Sequence, residues 1–357
     1  MGVHGVGSPD YVILGGGIAG SSLAIELASR GYGVLLVKRD EGSTPMSAGL
    51  FVTLMPENLM EFVAGSLKFY RRHGCLRTLL SRGALVIAGK EAASRILDIH
   101  LSWGLSSREA SPDDFEKGLE EKLVVAEWER TLLVDELLFD VGKLLECLYK
   151  RMSALGVSVK EASIVSPRAL REAARGAQVI VSAGAFTGSL VGGLGGRALV
   201  YRCQAFVAKC EGLGVVLEDL VNDFYSVPVD SWSTIIGDGS NEVIGEPSRG
   251  FAYSIEDAYR VLENYARRVR GAHSCYISRI WSSPCIVGGD GYPLIGKMGD
   301  LYLFTGFNGS GLSLAPGMAS LLADYMEGKV KRLPAHLECG RRIDAGADRV
   351  VEPYDLI

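Results

Sequence analysis

The chain has 357 residues, 48% of them hydrophobic and 22% charged, a composition that suits two domains with a sizeable core and excludes a disordered or fibrous chain. A formal net charge of −5 argues against nucleic acid or an anionic membrane surface as partner, since such binders carry a basic patch. No apolar run approaches the roughly 20 residues that span a bilayer, and "MGVHGVGSPD" lacks the regions of a signal peptide, so a cytoplasmic location is expected.

The predicted elements alternate from the start. "YVILGGG" is a short apolar strand running into glycines, and "IAGSSLAIELASRG" follows with helical spacing of Ile18, Leu23, Ile25 and Leu27 and with Gly31 as C-cap. "GVLLVKR" is a second strand, and "DEGSTPMSAG" is a loop. A helix is predicted from Pro56 to His73, a strand over "GALVIAG", and helices with loops over Glu91 to Lys122. "LLVDELLFDVGKLLECLYKRMSALG" reads as one long amphipathic helix ending at Gly156. "VSVKEASIV" and "AQVIVSAGAF" are strands, the second entering a glycine-rich stretch from Gly184 to Gly196. From Leu199 to Ile286 the pattern becomes short alternating strands with one covering helix, "SIEDAYRVLENYARRVRG", as in an antiparallel sheet. The tail returns to α/β character with "LYLFTG", a glycine-rich turn and the helix "APGMASLLADYMEG".

These elements predict an α/β fold (α+β overall). A Rossmann-type domain over residues 9–85, 136–198 and 284–345 is interleaved with an antiparallel-sheet substrate domain over 86–135 and 199–283. The seven cysteines include no C-x-x-C pair and no Cys/His cluster with metal-ligand spacing, so buried free thiols and no metal are expected. Gln occurs only at Gln178 and Gln204. Scarcity of thermolabile amides is the pattern of a heat-adapted protein, in which an intracellular disulfide becomes admissible. His73, His100, His273 and His336 are scattered without a partner motif and read as surface or structural residues.

Gly15, Gly17 and Gly20 form G-x-G-x-x-G between a strand and a helix. The first glycine permits the tight turn, the second lets backbone approach a pyrophosphate, and the third allows close helix–strand packing. With Ile18 and Ala19, they open a helix N-terminus toward the phosphates. The end of the second strand normally carries an acid that accepts from ribose hydroxyls. Here it is Lys38, which cannot accept. Either Asp40 or Glu41 replaces that contact, or Lys38 and Arg39 meet a 2′-phosphate, as in NADP.

The segment from Trp281 to Met326 decides between these. Trp281, Asp290-Gly291-Tyr292-Pro293-Leu294-Ile295-Gly296, the turn Gly306 to Gly311 and Ala315-Pro316 resemble the D-amino-acid oxidase/glycine oxidase superfamily of FAD-dependent oxidoreductases. "MSAGLF" is similar to that family's loop beside the flavin, "RCQ" to its R-G-Q, and "FYSVPV" to the strand carrying a substrate-facing Tyr. The resemblance implies non-covalent FAD, since the linking Cys of some members falls at Ser283. FAD contacts are implied at Lys38, Arg39, Asp40, Ser47, Ala48, Gly49, Leu50, Ile164, Val165, Ala183, Gly184 and Asp290. They are also implied at Gly306, Asn308, Gly309, Ser310, Gly311, Leu312 and Ser313, where a helix N-terminus faces the flavin edge that becomes anionic on reduction.

Tyr225, Ser310 and Cys285 are the residues expected at the substrate. Cys285 stands where the family's carboxylate-binding arginine falls, and Gly309 or Ser313 stands at its second basic position. Arg202, Arg249 or Arg279 could supply the missing clamp, or the substrate is held by neutral groups such as Tyr225, Asn308, Ser310 and Ser313, or the chain is a partner subunit with little activity of its own. The implied activity is oxidation of the C–N bond of a small amino acid or secondary amine by hydride transfer to flavin N5, with oxygen or a dye- or quinone-type carrier as acceptor. The alternatives are a 2-hydroxy-acid or glycerol-phosphate dehydrogenase and an accessory flavoprotein subunit. A homo-oligomer or a partner subunit is compatible with all of these.

Overall fold

Every residue of Tyr11–Leu14 is buried, as a strand covered on both faces must be. The computed structural model describes residues 8–39, 42–111, 114, 119–163, 176–238, 242–343 and 350–357. In chain order its elements are β1 (Tyr11–Leu14), α1 (Ile18–Ser29), β2 (Val34–Lys38), β3 (Leu50–Phe51), α2 (Met60–Arg72), β4 (Leu79–Gly89), α3 (Lys90–Ser102), β5 (Arg108–Glu109), α4 (Leu119–Lys122), β6 (Glu129–Phe139) and α5 (Val141–Ala154). They continue with β7 (Ser158–Glu161), β8 (Gln178–Val181), α6 (Thr187–Val191), β9 (Ala198–Lys209), β10 (Leu217–Asp219), β11 (Phe224–Asp230), β12 (Ser233–Asp238), α7 (Ile255–Arg268), β13 (Tyr276–Gly288), β14 (Leu294–Met298), β15 (Leu301–Thr305) and α8 (Gly311–Met326).

Among the described residues the strands form two sheets. The first runs β14-β15-β8-β1-β2-β7 and is parallel except for β14. Tyr11 and Ile13 face a core shared with α1, α2, α5 and α8, while Val12 and Leu14 face the opposite cluster with Val179 and Leu303. Helices α2 and α8 approach closely at Gly65 and Gly317, where a Cβ on Gly317 would lie 2.1 Å from the Phe62 carbonyl oxygen. Pro316 sits inside α8 and has no N–H for the Leu312 carbonyl. The Tyr70 hydroxyl donates to that carbonyl instead, at 2.8 Å.

The second sheet runs β13-β9-β12-β11-β10-β4-β6-β3, with β5 on β6. Helix α7 starts at Ser254, whose side chain accepts from the Asp257 N–H at 3.1 Å. It packs Ala258, Val261, Leu262 and Tyr265 against Phe206, Leu217, Phe224 and Ile236. At its end Arg268 is 4% exposed and joins three elements: Nε donates to Asp219 at 2.6 Å, and Nη1 and Nη2 donate to Glu129 at 2.7 and 2.9 Å.

The structure corrects three sequence expectations. The stretch from Leu132 to Gly156 is a strand followed by a helix rather than one helix. Leu132, Val134 and Leu138 alternate onto one buried face, and Asp140 caps α5 by accepting from the Lys143 N–H at 3.0 Å. Domain boundaries expected at 85/86, 135/136 and 283/284 fall inside β4, β6 and β13; the ladders continue through 85/86 and 283/284, and the register shift between Arg82 and Ala84 lies opposite 135/136. Six of the seven cysteines are paired, as Cys75–Cys147, Cys203–Cys285 and Cys210–Cys275, leaving Cys339 as a buried thiol. The partners are 65 to 82 residues apart, so folding alone brings them together.

Alkylation of the denatured protein without reductant should label Cys339 alone, and after reduction all seven cysteines; mass spectrometry reads the difference. Reduction should also lower the melting temperature, since each disulfide contributes roughly 2–4 kcal/mol. Arg268→Met leaves two buried carboxylates without their cation and should cost about 3–5 kcal/mol in urea unfolding.

Candidate active site

A cavity of about 640 Å³ extends from the glycine turn after β1, along the ends of the parallel strands, to the second sheet. This is the place where open α/β sheets hold ligands. Gly15 has φ +119°, and a Cβ there would lie 2.0 Å from the Ser182 carbonyl oxygen. Gly17 is the N-cap of α1. Gly20 does not line the cavity. It lets α1 sit against the turn, since a Cβ would lie 1.8 Å from the Gly15 carbonyl oxygen. The Tyr149 hydroxyl donates to the Gly16 carbonyl at 2.8 Å, and Thr44 Oγ1 accepts from the Ile18 N–H at 3.2 Å. The turn is therefore braced by Thr44 and Tyr149, which line the cavity together with Gly15, Gly17, Ile18 and Ala19.

Lys38 and Arg39 line this same end. Lys38 Nζ lies 2.9 Å from Glu161, its register partner on β7, and 5.7 Å from the centre of the Tyr149 ring. The Arg39 guanidinium lies 5.3 Å over the Phe186 ring. Asp40, Glu41, Ile164 and Val165 lie outside the described residues. Ser47, Ala48, Gly49, Leu50, Ala183 and Gly184 all line the cavity.

The second glycine turn stands between β15 and α8. Gly306, Asn308, Gly309, Ser310, Gly311 and Leu312 line the cavity. Gly309 has φ +70°, and a Cβ there meets nothing within 4 Å. Asn308 has φ +50° and is held from two sides: its Oδ1 accepts from the Tyr201 hydroxyl at 2.7 Å, and its Nδ2 donates to the Val351 carbonyl at 2.9 Å. Gly311 and Leu312, the first residues of α8, thus line the cavity from a fixed position. Two residues expected here lie elsewhere. Ser313 is fully buried away from the cavity. Asp290 is bound to Arg341 at 2.6 Å and shapes the turn behind the site.

At the second sheet, Tyr225 lines the cavity. Its ring occupies the space over Gly237, where a Cβ would come within 2.2 Å of it. Cys285 also lines the cavity, but as the disulfide partner of Cys203 and so without a free thiol. The Trp281 indole donates to the Met46 carbonyl at 2.8 Å, and the Ser43 hydroxyl donates to the Pro284 carbonyl at 2.6 Å; both tie the loop after β2 to β13.

None of the three candidate arginines lines the cavity. Arg202 pairs with Glu242 at 2.5 Å, while Arg249 is exposed and Arg279 is exposed with its guanidinium 5.5 Å from the Trp281 ring. The described histidines do not line it either: His100 is buried, with Nε2 2.9 Å from the Thr53 carbonyl and Nδ1 2.7 Å from Ser107.

Sequence reasoning missed Thr44, Tyr149 and Phe186 around the first turn, and Glu218, Asp223, Glu352 and Tyr354 at the sheet end. A usable signal existed for Glu218. In "GVVLEDL" it follows an apolar run and is paired with a second acid, and acids in such a run are buried only for a reason.

The family model for FAD-dependent oxidoreductases matches residues 10–325. Glycine oxidase from Geobacillus kaustophilus superposes with a TM-score of 0.75 at 19% identity, covering 94% of this chain and 99% of that one. L-proline dehydrogenase from P. horikoshii gives 0.75 at 18% identity over 92% and 95% of the two chains. NikD, an amino acid oxidase of nikkomycin biosynthesis, gives 0.70 at 16% over 92% and 97%. No curated protein matches the chain in a sequence search.

Gly20→Ala forces α1 off the first turn, a small-to-large change of about 1–3 kcal/mol. It should lower dinucleotide affinity at least tenfold and reduce the melting temperature, read by equilibrium dialysis and thermal unfolding.

Proposed function

The chain belongs to the family of FAD-dependent oxidoreductases, and from that premise we propose that it oxidises the C–N bond of a small amino acid or secondary amine, with FAD bound non-covalently. The observation that carries this reading is one continuous cavity with a glycine turn and helix N-terminus at each of two places, Gly15–Gly17 with α1 and Gly309–Gly311 with α8.

The residues present fit the cofactor. Gly15 and Gly17 line the cavity at a turn packed too closely against Ser182 and Thr44 to admit a side chain, the form of a dinucleotide-binding turn, and Lys38, paired with Glu161, and Arg39 stand at the same end. Asn308, clamped by Tyr201 and Val351, presents the second turn to the redox end of the cofactor. Non-covalent attachment is supported by the Cys203–Cys285 bond, because among the described residues no free thiol lines the cavity.

When bound, FAD would supply the hydride acceptor for oxidation of the carbon next to the substrate nitrogen. The chain's own contribution is position and field. The α8 N-terminus favours negative charge by about 0.3–1 kcal/mol. Val52 and Leu54 give the cavity wall apolar surface near Tyr225. Among the described residues no histidine lines the cavity.

The protein, as purified or after adding FAD, should show flavin bands that bleach anaerobically with a pool of amines and amino acids, and acid precipitation should release the flavin into solution. Re-oxidation by air, compared with a quinone-type dye, identifies the acceptor. Bands that bleach only with 2-hydroxy acids or glycerol phosphate would replace the C–N reading, and a protein that takes up no flavin would remove it.

A further inference from the structure

The three disulfides sit in different surroundings. Cys75–Cys147 is part of the core that covers the first sheet, and Cys210–Cys275 lies just beyond the Lys209–Tyr276 end of the β9–β13 ladder; neither lines the cavity. Both residues of Cys203–Cys285 line it.

This bond stands beside the second glycine turn. The carbonyl of Ile286, next to Cys285 in the chain, accepts the Asn308 N–H at 3.2 Å, and Val287 bridges to Phe307. Tyr201, opposite Cys285 in the ladder, donates to Asn308 Oδ1 at 2.7 Å. Tyr201, Cys203 and Cys285 pack in one cluster. The disulfide is thus built into the strand pair that fixes the turn assigned above to the redox end of the cofactor.

As a clamp the bond is redundant. β9 and β13 are already hydrogen-bonded from Ala198–Gly288 to Lys209–Tyr276, and Cys210–Cys275 crosslinks them a second time. Opening Cys203–Cys285 leaves both ties in place. The two thiols would stay on paired strands, with Cα atoms 5.9 Å apart in the closed bond, so they remain within reach of each other. A disulfide that opens without releasing its strands, and that borders a cavity rather than a core, has the form of a redox couple and not of a staple.

We propose that Cys203–Cys285 is a second redox centre of this protein, a two-electron acceptor for FAD that substrate has reduced. In this step the Sγ–Sγ bond breaks and takes two electrons and two protons from reduced FAD; two thiols form, and FAD returns to its oxidised state. The dithiol holds the electrons of one turnover and leaves the flavin ready for another. The proposal rests on the FAD binding of the reading above and is independent of which substrate supplies the electrons.

The test uses the FAD-loaded protein with dithionite as reductant, so that no substrate is needed. An anaerobic titration follows the flavin bands. Each sample is then quenched in acid, alkylated in denaturant and mapped by mass spectrometry. The protein should take up four electrons per FAD before bleaching is complete, two for each centre. Alkylation should mark Cys203 and Cys285 together with Cys339, while Cys75, Cys147, Cys210 and Cys275 stay paired. A variant with Cys203→Ser and Cys285→Ser should bleach fully at two electrons per FAD. The wild-type electron count and labelling decide the matter even where that variant does not fold. Complete bleaching at two electrons per FAD in the wild type, with Cys339 alone marked, overturns the proposal and leaves FAD binding standing. Equal marking of Cys203 and Cys285 in protein carrying no FAD also overturns it, since dithionite then opens the bond without the flavin. A protein that takes up no flavin overturns both the proposal and the reading beneath it.

Discussion

The ladder between β9 and β13 is the constraint on which the site depends. It pairs Lys209 with Tyr276 at one end and Ala198 with Gly288 at the other, so it runs from the covered sheet to the edge of the dinucleotide fold. Along it sit several of the residues that shape the cavity. Tyr201 reaches across to Asn308, Gln204 holds the start of α7 through both amide atoms, and Trp281 and Pro284 hold the loop after β2. If the register slipped by one residue, each of these side chains would turn to the other face. Precision at the second glycine turn is thus borrowed from a strand pair in the other sheet.

Electrostatics follow from the same division of labour. The parallel sheet offers helix N-termini and two cations where phosphates are expected, and the antiparallel sheet offers carboxyl groups where a substrate is expected. Arg268 keeps these roles apart. By taking Asp219 and Glu129 into a buried network, it neutralises a carboxylate at the cavity wall next to Glu218.

Much of this was legible in the sequence. The βαβ unit was, because glycines at positions 15, 17 and 20 stand between an apolar strand and an apolar helix, and only close backbone approach explains all three. The Gly306–Gly311 turn was legible for the same reason. The junction at Asp140 was not: Leu132 to Leu138 satisfies both a period of two and a helical stripe, and only the ladder with β4 decides. The disulfides were invisible because their partners meet through tertiary structure. Asp290 misled because a motif position can be conformational: its carboxylate serves Arg341. Cys285 was recognised as the departure at the substrate end, but the pairing that explains its presence is a property of the fold.

The β9–β13 ladder is also crosslinked twice. Cys210 and Cys275 continue the pairing of Lys209 with Tyr276, and Cys203 and Cys285 join the same strands further along, on the other side of the register shift between Ile277 and Arg279. Everything between Cys210 and Cys275, including the β11–β12 hairpin and α7, therefore hangs from a closed covalent ring. A backbone cut anywhere in that span would leave a single molecule with the two strands still joined. The segment that carries Tyr225 is accordingly one in which evolution can lengthen, shorten or re-open loops without letting the wall of the cavity come apart.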